Sequence, residues 1–406
     1  MKIQIFLAVF LLLLLVNTKT FAAGIEIDDE RATPEYWINK NSDGDKLLLT
    51  YKQIDRLNAE ILAKDDYAAD LKNYPETISV ADLKARIQKS TEDVRIVGSQ
   101  SVMANRNLDT LNYNVTVRYA VTTERVNIRL LPQPPTGERS DSIQGTALDP
   151  AEPVAVLWES KDGKFSFIQS RFYFGWVNKN TLAFTDYATW LTYVEPENFL
   201  VVTTNKKFVN VNGKIILFQM GAKIPLQSSA MQNNSWTARI PLAENNQLKE
   251  FSVKVLNDGN VSADYLPCTT NNFIRQSFKF LGDVYGWGGL ENSVDCSALT
   301  QNVYRTLGIN IPRDADRQAG CMPIFAVFNS VTHAERVDIV RRAPGGSLLL
   351  IPTHVMMKLG NDDNGTPIII HAIGGSTRKV IVSNLNFSSA SGLAMIDRLT
   401  DITYPR

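Results

Sequence analysis

The chain has 406 residues, 44% hydrophobic and 21% charged, with 42 Lys plus Arg against 42 Asp plus Glu. That length suits roughly two to four domains of about 150 residues each, and the apolar content excludes a disordered chain. The charge balance argues against a nucleic-acid binder, which needs surplus cations to displace phosphate counterions. The 23 Gly and 17 Pro show no collagen-like period.

Residues 1–22 stand apart. Lys2, the unbroken apolar run from Ile5 to Val16 and the small residue Ala22 form the pattern of a secretory signal peptide. The run is shorter than the roughly 20 residues that span a bilayer, so no stable membrane span is expected after cleavage. Removal takes two cations, Lys2 and Lys19, and no anion. The mature protein is therefore expected to be near neutral and exported, either periplasmic or secreted.

Residues 23–112 have a helical pattern. Ile54, Leu57, Ile61 and Leu62 recur near a 3.6 period, and Val80 to Ile87 continues it behind Ser79 as an N-cap. From 113 to 190 the pattern changes to short alternating strands, around Val115, Val126, Val154, Phe165 and Phe174, punctuated as in a small β-barrel. A second β-rich block of similar length, 191–267, includes Phe208–Val211, Lys214–Phe218 and Phe251–Val255. The last segment, 268–406, is α+β with helices first and strands after. Helices begin near Asn272 and Asp295 and stop at Gly282 and Gly308. Strands His354–Leu359 and Pro367–Ala372 flank Asn364-Gly365, a hairpin-turn signal.

Three cysteines are too few for a disulfide framework and odd in number. A Cys268–Cys321 disulfide is one open pairing. Cys296 follows Asp295, a capping residue, so its thiol sits where the helix macrodipole and free N–H groups favour thiolate and an oxyanion. The alternative is a buried structural cysteine. Of the three histidines, His333 lies in a polar stretch and is expected at the surface. His354 and His371 fall opposite or one diagonal step apart across the hairpin, within side-chain reach. One ring can then serve as base to a thiol while the other orients it. Two unrelated strand histidines, or a zinc site of Cys296, His354 and His371 with a position left for water, remain open alternatives. No zinc-protease helix motif, Cys-x-x-Cys, Gly-x-Ser-x-Gly elbow, Walker loop or dinucleotide fingerprint occurs.

Tyr285-Gly-Trp-Gly-Gly289, Asp295-Cys-Ser-Ala-Leu299, Ile311-Pro-Arg-Asp-Ala315, His354 on a strand ending Lys358-Leu-Gly, and His371 occur in this order. Together they resemble the NlpC family, papain-like cysteine endopeptidases of bacterial peptidoglycan. The upstream segments look like the family's longer architecture, a helical N-terminal stabilising domain followed by two bacterial SH3-like barrels. The resemblance rests on Asp162-Gly and Tyr173-Phe-Gly-Trp-Val for the first barrel and Met220-Gly-Ala-Lys-Ile-Pro for the second.

The resemblance implies Cys296 as nucleophile, His354 as general base and His371 as the residue that orients it, with no metal or organic cofactor. Asp314 matches a carboxylate that binds the free amino group of an L-alanine, whereas a surface salt bridge to Arg313 or Arg317 is its bland alternative. Ser297 and Tyr285 match positions contacting a D-glutamyl group, and Tyr173 is the candidate by which the first barrel narrows the cleft. The implied partners are peptidoglycan stem peptides or muropeptides of the form L-Ala-γ-D-Glu-diamino acid. Ala298 and Ala315 depart from the Gly and Ser of many relatives, and the second change removes one hydrogen bond to substrate. A non-catalytic wall-binding protein, a zinc-dependent amidase and an acyltransferase on the same scaffold are the competing classes.

Overall fold

A computed structural model describes residues 26–92, 100–137, 141–388 and 392–406; the signal-peptide segment 1–22 lies outside the described residues. Among them no helix is long and apolar enough to cross a membrane.

The N-terminal helices form where their period and caps dictate. Tyr51–Leu62 starts with a Thr50/Gln53 capping box, and Val80–Lys89 starts on Ser79, whose hydroxyl accepts from the Asp82 amide. Their apolar faces enter different cores. Ile54, Leu57 and Ile61 pack with the C-terminal segment, whereas Leu83 and Ile87 pack with the β-rich blocks. The helical region is therefore a strap across two cores rather than a layer around one of its own.

All five strand regions expected between 113 and 190 are present, at Val115–Thr116, Val126–Arg129, Pro153–Glu159, Phe165–Gln169 and Phe174–Asn178. Most of this block joins one sheet that continues, through a parallel pairing of Gln247 with Phe184, into the antiparallel hairpin Ser235–Glu244 and Gln247–Leu256 of the next block. The remaining strands of the second block make two smaller sheets, one centred on Phe199–Val202 and one formed by Lys206–Val211 with Lys214–Gln219. Both blocks share a single core that includes Trp176, Trp190, Phe218 and Ile240. Shared burial of large apolar side chains is what fixes the two blocks against each other.

In the C-terminal segment, helices Thr270–Phe278 and Cys296–Thr306 precede a six-stranded sheet. The strand order is Ile324–Val327, Asp401–Thr403, Leu348–Ile351, His354–Asn361, Pro367–Ile373 and Lys379–Asn384. Gly308 follows the C-cap of the second helix at φ 81°, whereas the first helix already ends at Phe278 and Gly282, at φ 83°, closes the turn after it; both conformations favour glycine. The order differs from helices first and strands after, because helix His333–Arg342 lies between the first two strands in sequence. Only Val340 of that helix is buried, so the helix shows little apolar period. Its Thr332/Glu335 capping box is its sequence signal.

The β-rich block meets the C-terminal segment at the Trp-Gly-Gly turn. Gly288 and Gly289 have φ of 57° and 81°, and a Cβ on Gly288 would lie 2.5 Å from the Gln144 side chain. The Gln144 amide nitrogen donates to the Gly288 carbonyl at 2.9 Å. Any side chain at 288 therefore meets both a left-handed backbone, costing about 1–2 kcal/mol, and a steric wall. Gly288→Ala is expected to lower the melting temperature by several degrees, whereas Gly213→Ala, open to solvent at φ 89°, should lose only the backbone part. Calorimetry on the two variants compares them directly.

Candidate active site

Cys296 is the first residue of its helix, and Asp295 caps it by accepting from the Ala298 amide at 2.8 Å. Asp295 also accepts from the Gly288 amide at 2.9 Å and from Arg313, at 3.1 Å through Nη1 and 2.7 Å through Nη2. Arg313 in turn donates to the Ser297 hydroxyl at 2.8 Å and, through Nε, to the Thr146 hydroxyl of the β-rich block at 2.7 Å. Asp295 and Arg313 are both buried, and the guanidinium holds the Asp295 carboxyl below its usual range against the opposing effect of burial. This network anchors the start of the Cys296 helix from three separate chain segments.

The thiol itself does not behave as its helix position suggests. Cys296 is only 8% exposed, and burial, reinforced by the Asp295 charge, pushes its pKa up to about 12. The amides of Val355 and Ser297 hydrogen bond the sulfur and oppose the rise, but desolvation exceeds them. The expectation of a resting thiolate is therefore corrected. Favourable dipoles lower a cysteine pKa only where water still reaches the sulfur.

His354 opens the strand after a two-residue turn, Pro352-Thr353, whose Thr353 adopts φ 67°. A β-branched residue in that region stores about 1–3 kcal/mol and is held there by the Ile351–His354 pairing. The neighbouring Val355 amide at the sulfur places the start of this strand against Cys296. His354 Nε2 lies 2.9 Å from His371 Nδ1, so the diagonal step across the hairpin is realised. His371 Nε2 lies 3.2 Å from the Ser383 hydroxyl, which donates onward to the Asn384 carbonyl at 3.1 Å.

These contacts set one consistent direction for the protons. Ser383 has spent its proton, so it accepts from His371 Nε2–H; His371 Nδ1 then accepts from His354 Nε2–H. His354 Nδ1 is left with a lone pair. Burial lowers both imidazoles, His354 to about 4 and His371 well below its ordinary value. Both rings are uncharged at neutral pH. Because Nε2 of His354 and Nδ1 of His371 bond each other, they do not converge on a common ion, and no group of three or more His, Cys, Asp or Glu side chains among the described residues is placed to hold a metal.

The remaining candidates cluster at one end. Tyr285 lies near Asp295 and Cys296, and burial, reinforced by the Asp295 charge, raises its phenol. The Ser297 hydroxyl is used internally, accepting from Arg313 and lying 3.3 Å from Asp295, so its side chain supports the ion pair and has no spare proton to offer a ligand. Asp314, 31% exposed at its side chain, is raised to about 7 by burial, against the lowering effect of Arg313 and Arg317. Buried Tyr173 of the β-rich block is close enough for the Asp314 charge to raise its phenol further.

His333 is exposed, as expected, and pairs with Asp397 at 2.7 Å. Cys268 and Cys321 are buried free thiols, so the disulfide pairing is not realised. Two residues escaped the sequence reading. Ser383 is a polar residue in an apolar strand, two positions beyond Ile381, the partner of His371, and that spacing was its signal. Thr146 had none, because its role arises only through Arg313.

A family model described as NlpC/P60 matches residues 282–392, and one described as an SH3 domain of the SH3b1 type matches residues 131–178. Among solved structures, an NlpC/P60 endopeptidase from Photobacterium damselae subsp. piscicida aligns with a TM-score of 0.69 at 17% identity, over 93% of this chain and 94% of that one. An NlpC/P60 family protein from Bacillus cereus aligns with a TM-score of 0.51 at 18% identity, over 70% of this chain and 99% of that one. At such identities the likeness is one of fold. No curated protein matches the sequence.

Removing Arg313 leaves the Asp295 carboxylate buried and unpaired, a change that costs about 3–5 kcal/mol. Arg313→Ala is expected to destabilise by that amount in urea unfolding. Arg313→Lys should recover only part, since an ammonium cannot reproduce the planar fork.

Proposed function

We propose that the chain is a multidomain peptidase of the NlpC/P60 family and that it cleaves peptidoglycan stem peptides outside the cytoplasm, at the bond between γ-D-glutamate and a diamino acid. The observation that carries the reading is the directed chain from His354 through His371 to Ser383 beside a helix-start cysteine.

In the proposed mechanism the resting dyad is neutral. As the sulfur of Cys296 closes on the γ-carbonyl carbon, His354 Nδ1 takes the thiol proton, a C–S bond forms, and negative charge moves to the carbonyl oxygen. Helix-start amides are suited to receive that charge. Collapse of the adduct breaks the C–N bond while His354 returns its proton to the departing amine. Water, deprotonated by the same nitrogen, then attacks the thioester, frees L-Ala-γ-D-Glu and restores the thiol. His371 accepts from His354 throughout and steadies the imidazolium as it appears, while the hydroxyl of Ser383 keeps the His371 tautomer.

Asp314 and Tyr173 support a preference for a free N-terminal L-alanine. A carboxylate beside a buried phenol offers a site for one ammonium and little room for a longer chain. Tyr285 is the remaining candidate for contact with the D-glutamyl portion.

Purified protein incubated with muropeptides and followed by mass spectrometry should release L-Ala-γ-D-Glu, and Cys296→Ala should lose at least about 10⁴-fold in rate, as removal of a nucleophile does. Release by the Cys296→Ala variant would refute the assignment. The pH profile separates two groups. Asp314, near 7, loses its charge and its hold on the substrate ammonium as pH falls through that value, so KM rises. His354, near 4, stays a free base until far lower pH, so kcat is expected to hold where KM has already risen. Steady-state kinetics across pH checks both.

A further inference from the structure

A carboxylate can receive a substrate ammonium only while no resident cation has claimed it, and Asp314 has two arginines close by. Arg313 is committed to Asp295, Ser297 and Thr146. Arg317 is three residues after Asp314, the spacing at which helical side chains of opposite charge meet. Yet its Nε stands 3.7 Å from Asp314 Oδ2, at the outer limit of an ion pair.

What draws it away is a segment of the N-terminal region. Arg317 Nη1 lies 3.3 Å from Asp65 Oδ1 and hydrogen bonds Asp66, while its guanidinium carbon sits 3.7 Å from the centre of the Tyr67 ring. The segment is itself anchored to the β-rich block. Tyr67 stacks on Phe174 at 4.4 Å and lies 5.0 Å from Tyr173, and its carbonyl accepts from Gln169 at 2.8 Å. The Tyr67 amide donates to Asp65 Oδ1 at 3.1 Å, and Lys89 pairs with Asp66.

We propose that Asp65, Asp66 and Tyr67 determine specificity by holding the Arg317 guanidinium off Asp314, which keeps that carboxylate open to the free amino group of the substrate. The proposal rests on Asp314 as the ammonium receptor. Without the segment, Arg317 would swing onto Asp314 as a bidentate partner, the strongest pairing available to it. The charged and titratable groups acting on Asp314 are Arg313, Asp316, Asp295, Arg317 and Tyr173. Of these, Arg317 is the cation that the N-terminal segment holds, while the neutral Tyr173 ring packs on Tyr67.

The test uses the full-length protein and L-Ala-γ-D-Glu-diaminopimelate, assayed in about 1 M salt, where a Debye length of about 3 Å screens through-space charge effects but not a contact pair. Asp65→Asn with Asp66→Asn is expected to raise KM about tenfold with kcat little changed, and to move the acid limb of kcat/KM below its wild-type position. Adding Arg317→Gln should return both to near wild type, and a crystal structure of the double variant should show Arg317 bonded to both Asp314 oxygens. Asp66→Asn alone, at an exposed side chain, gives a smaller change in the same direction and keeps the test valid if the double variant folds poorly. Asp314→Asn separates the two claims. If it raises KM while the Asp65/Asp66 variants do not, or if Arg317→Gln fails to rescue them, this proposal is overturned alone. If Asp314→Asn leaves KM unmoved, the ammonium receptor is misassigned and the proposal falls with it.

Discussion

Asp295 gathers the backbone of the Trp-Gly-Gly turn, the first turn of the Cys296 helix and the guanidinium of Arg313 around one buried carboxylate. Arg313 extends the same connection to Thr146 in the β-rich block. A buried charge stripped of any one partner is far more costly than a surface one, so these segments can only be arranged together. The position of the thiol, the approach of the barrel and the tight glycine turn all follow from satisfying that one pair. Such an arrangement explains why a block with no thiol or imidazole in the site belongs to the site's structure.

Burial brings a chemical consequence. The interactions that fix Cys296 also remove water from it, and with water goes the stabilisation of a free thiolate. The same desolvation keeps His354 and His371 uncharged. In the proposed mechanism charge appears in both partners at once, when the proton crosses, so the site never holds an isolated ion. Control of the substrate end is built differently. There the N-terminal strap and the barrel face each other across Tyr67 and Phe174, and the Asp314 and Arg317 side chains keep enough exposure to be tuned by neighbours.

The sequence made the local parts of this design legible. The Cys296 helix has an apolar period and a capping residue, and Asn364-Gly365 marks the hairpin whose register sets His354 beside His371. Glycine stops and alternating strands could be read for the same reason, since each is fixed by neighbours a few residues away. Features that depend on distant segments were not legible. Arg313 looked like a bland partner for Asp314 and instead holds Asp295; Ser297 looked free to contact substrate and is occupied by Arg313. The ionisation of Cys296 went wrong for one reason, because dipoles can be inferred from position in a helix whereas desolvation depends on everything packed above it. The shared core of the two β-rich blocks was hidden likewise, since neither block signals in sequence that it will pack against the other.

The central claim is a nucleophile and base that are both uncharged at rest, joined to one directed proton chain. Nitrogen-15 NMR of histidine-labelled protein at neutral pH tests this most directly. Signals of His354 and His371 should be those of neutral rings, each protonated on Nε2, and should stay neutral when Cys296 is replaced by Ala. An imidazolium at His354 that disappears in the Cys296→Ala variant would mean a preformed ion pair, and would contradict the account.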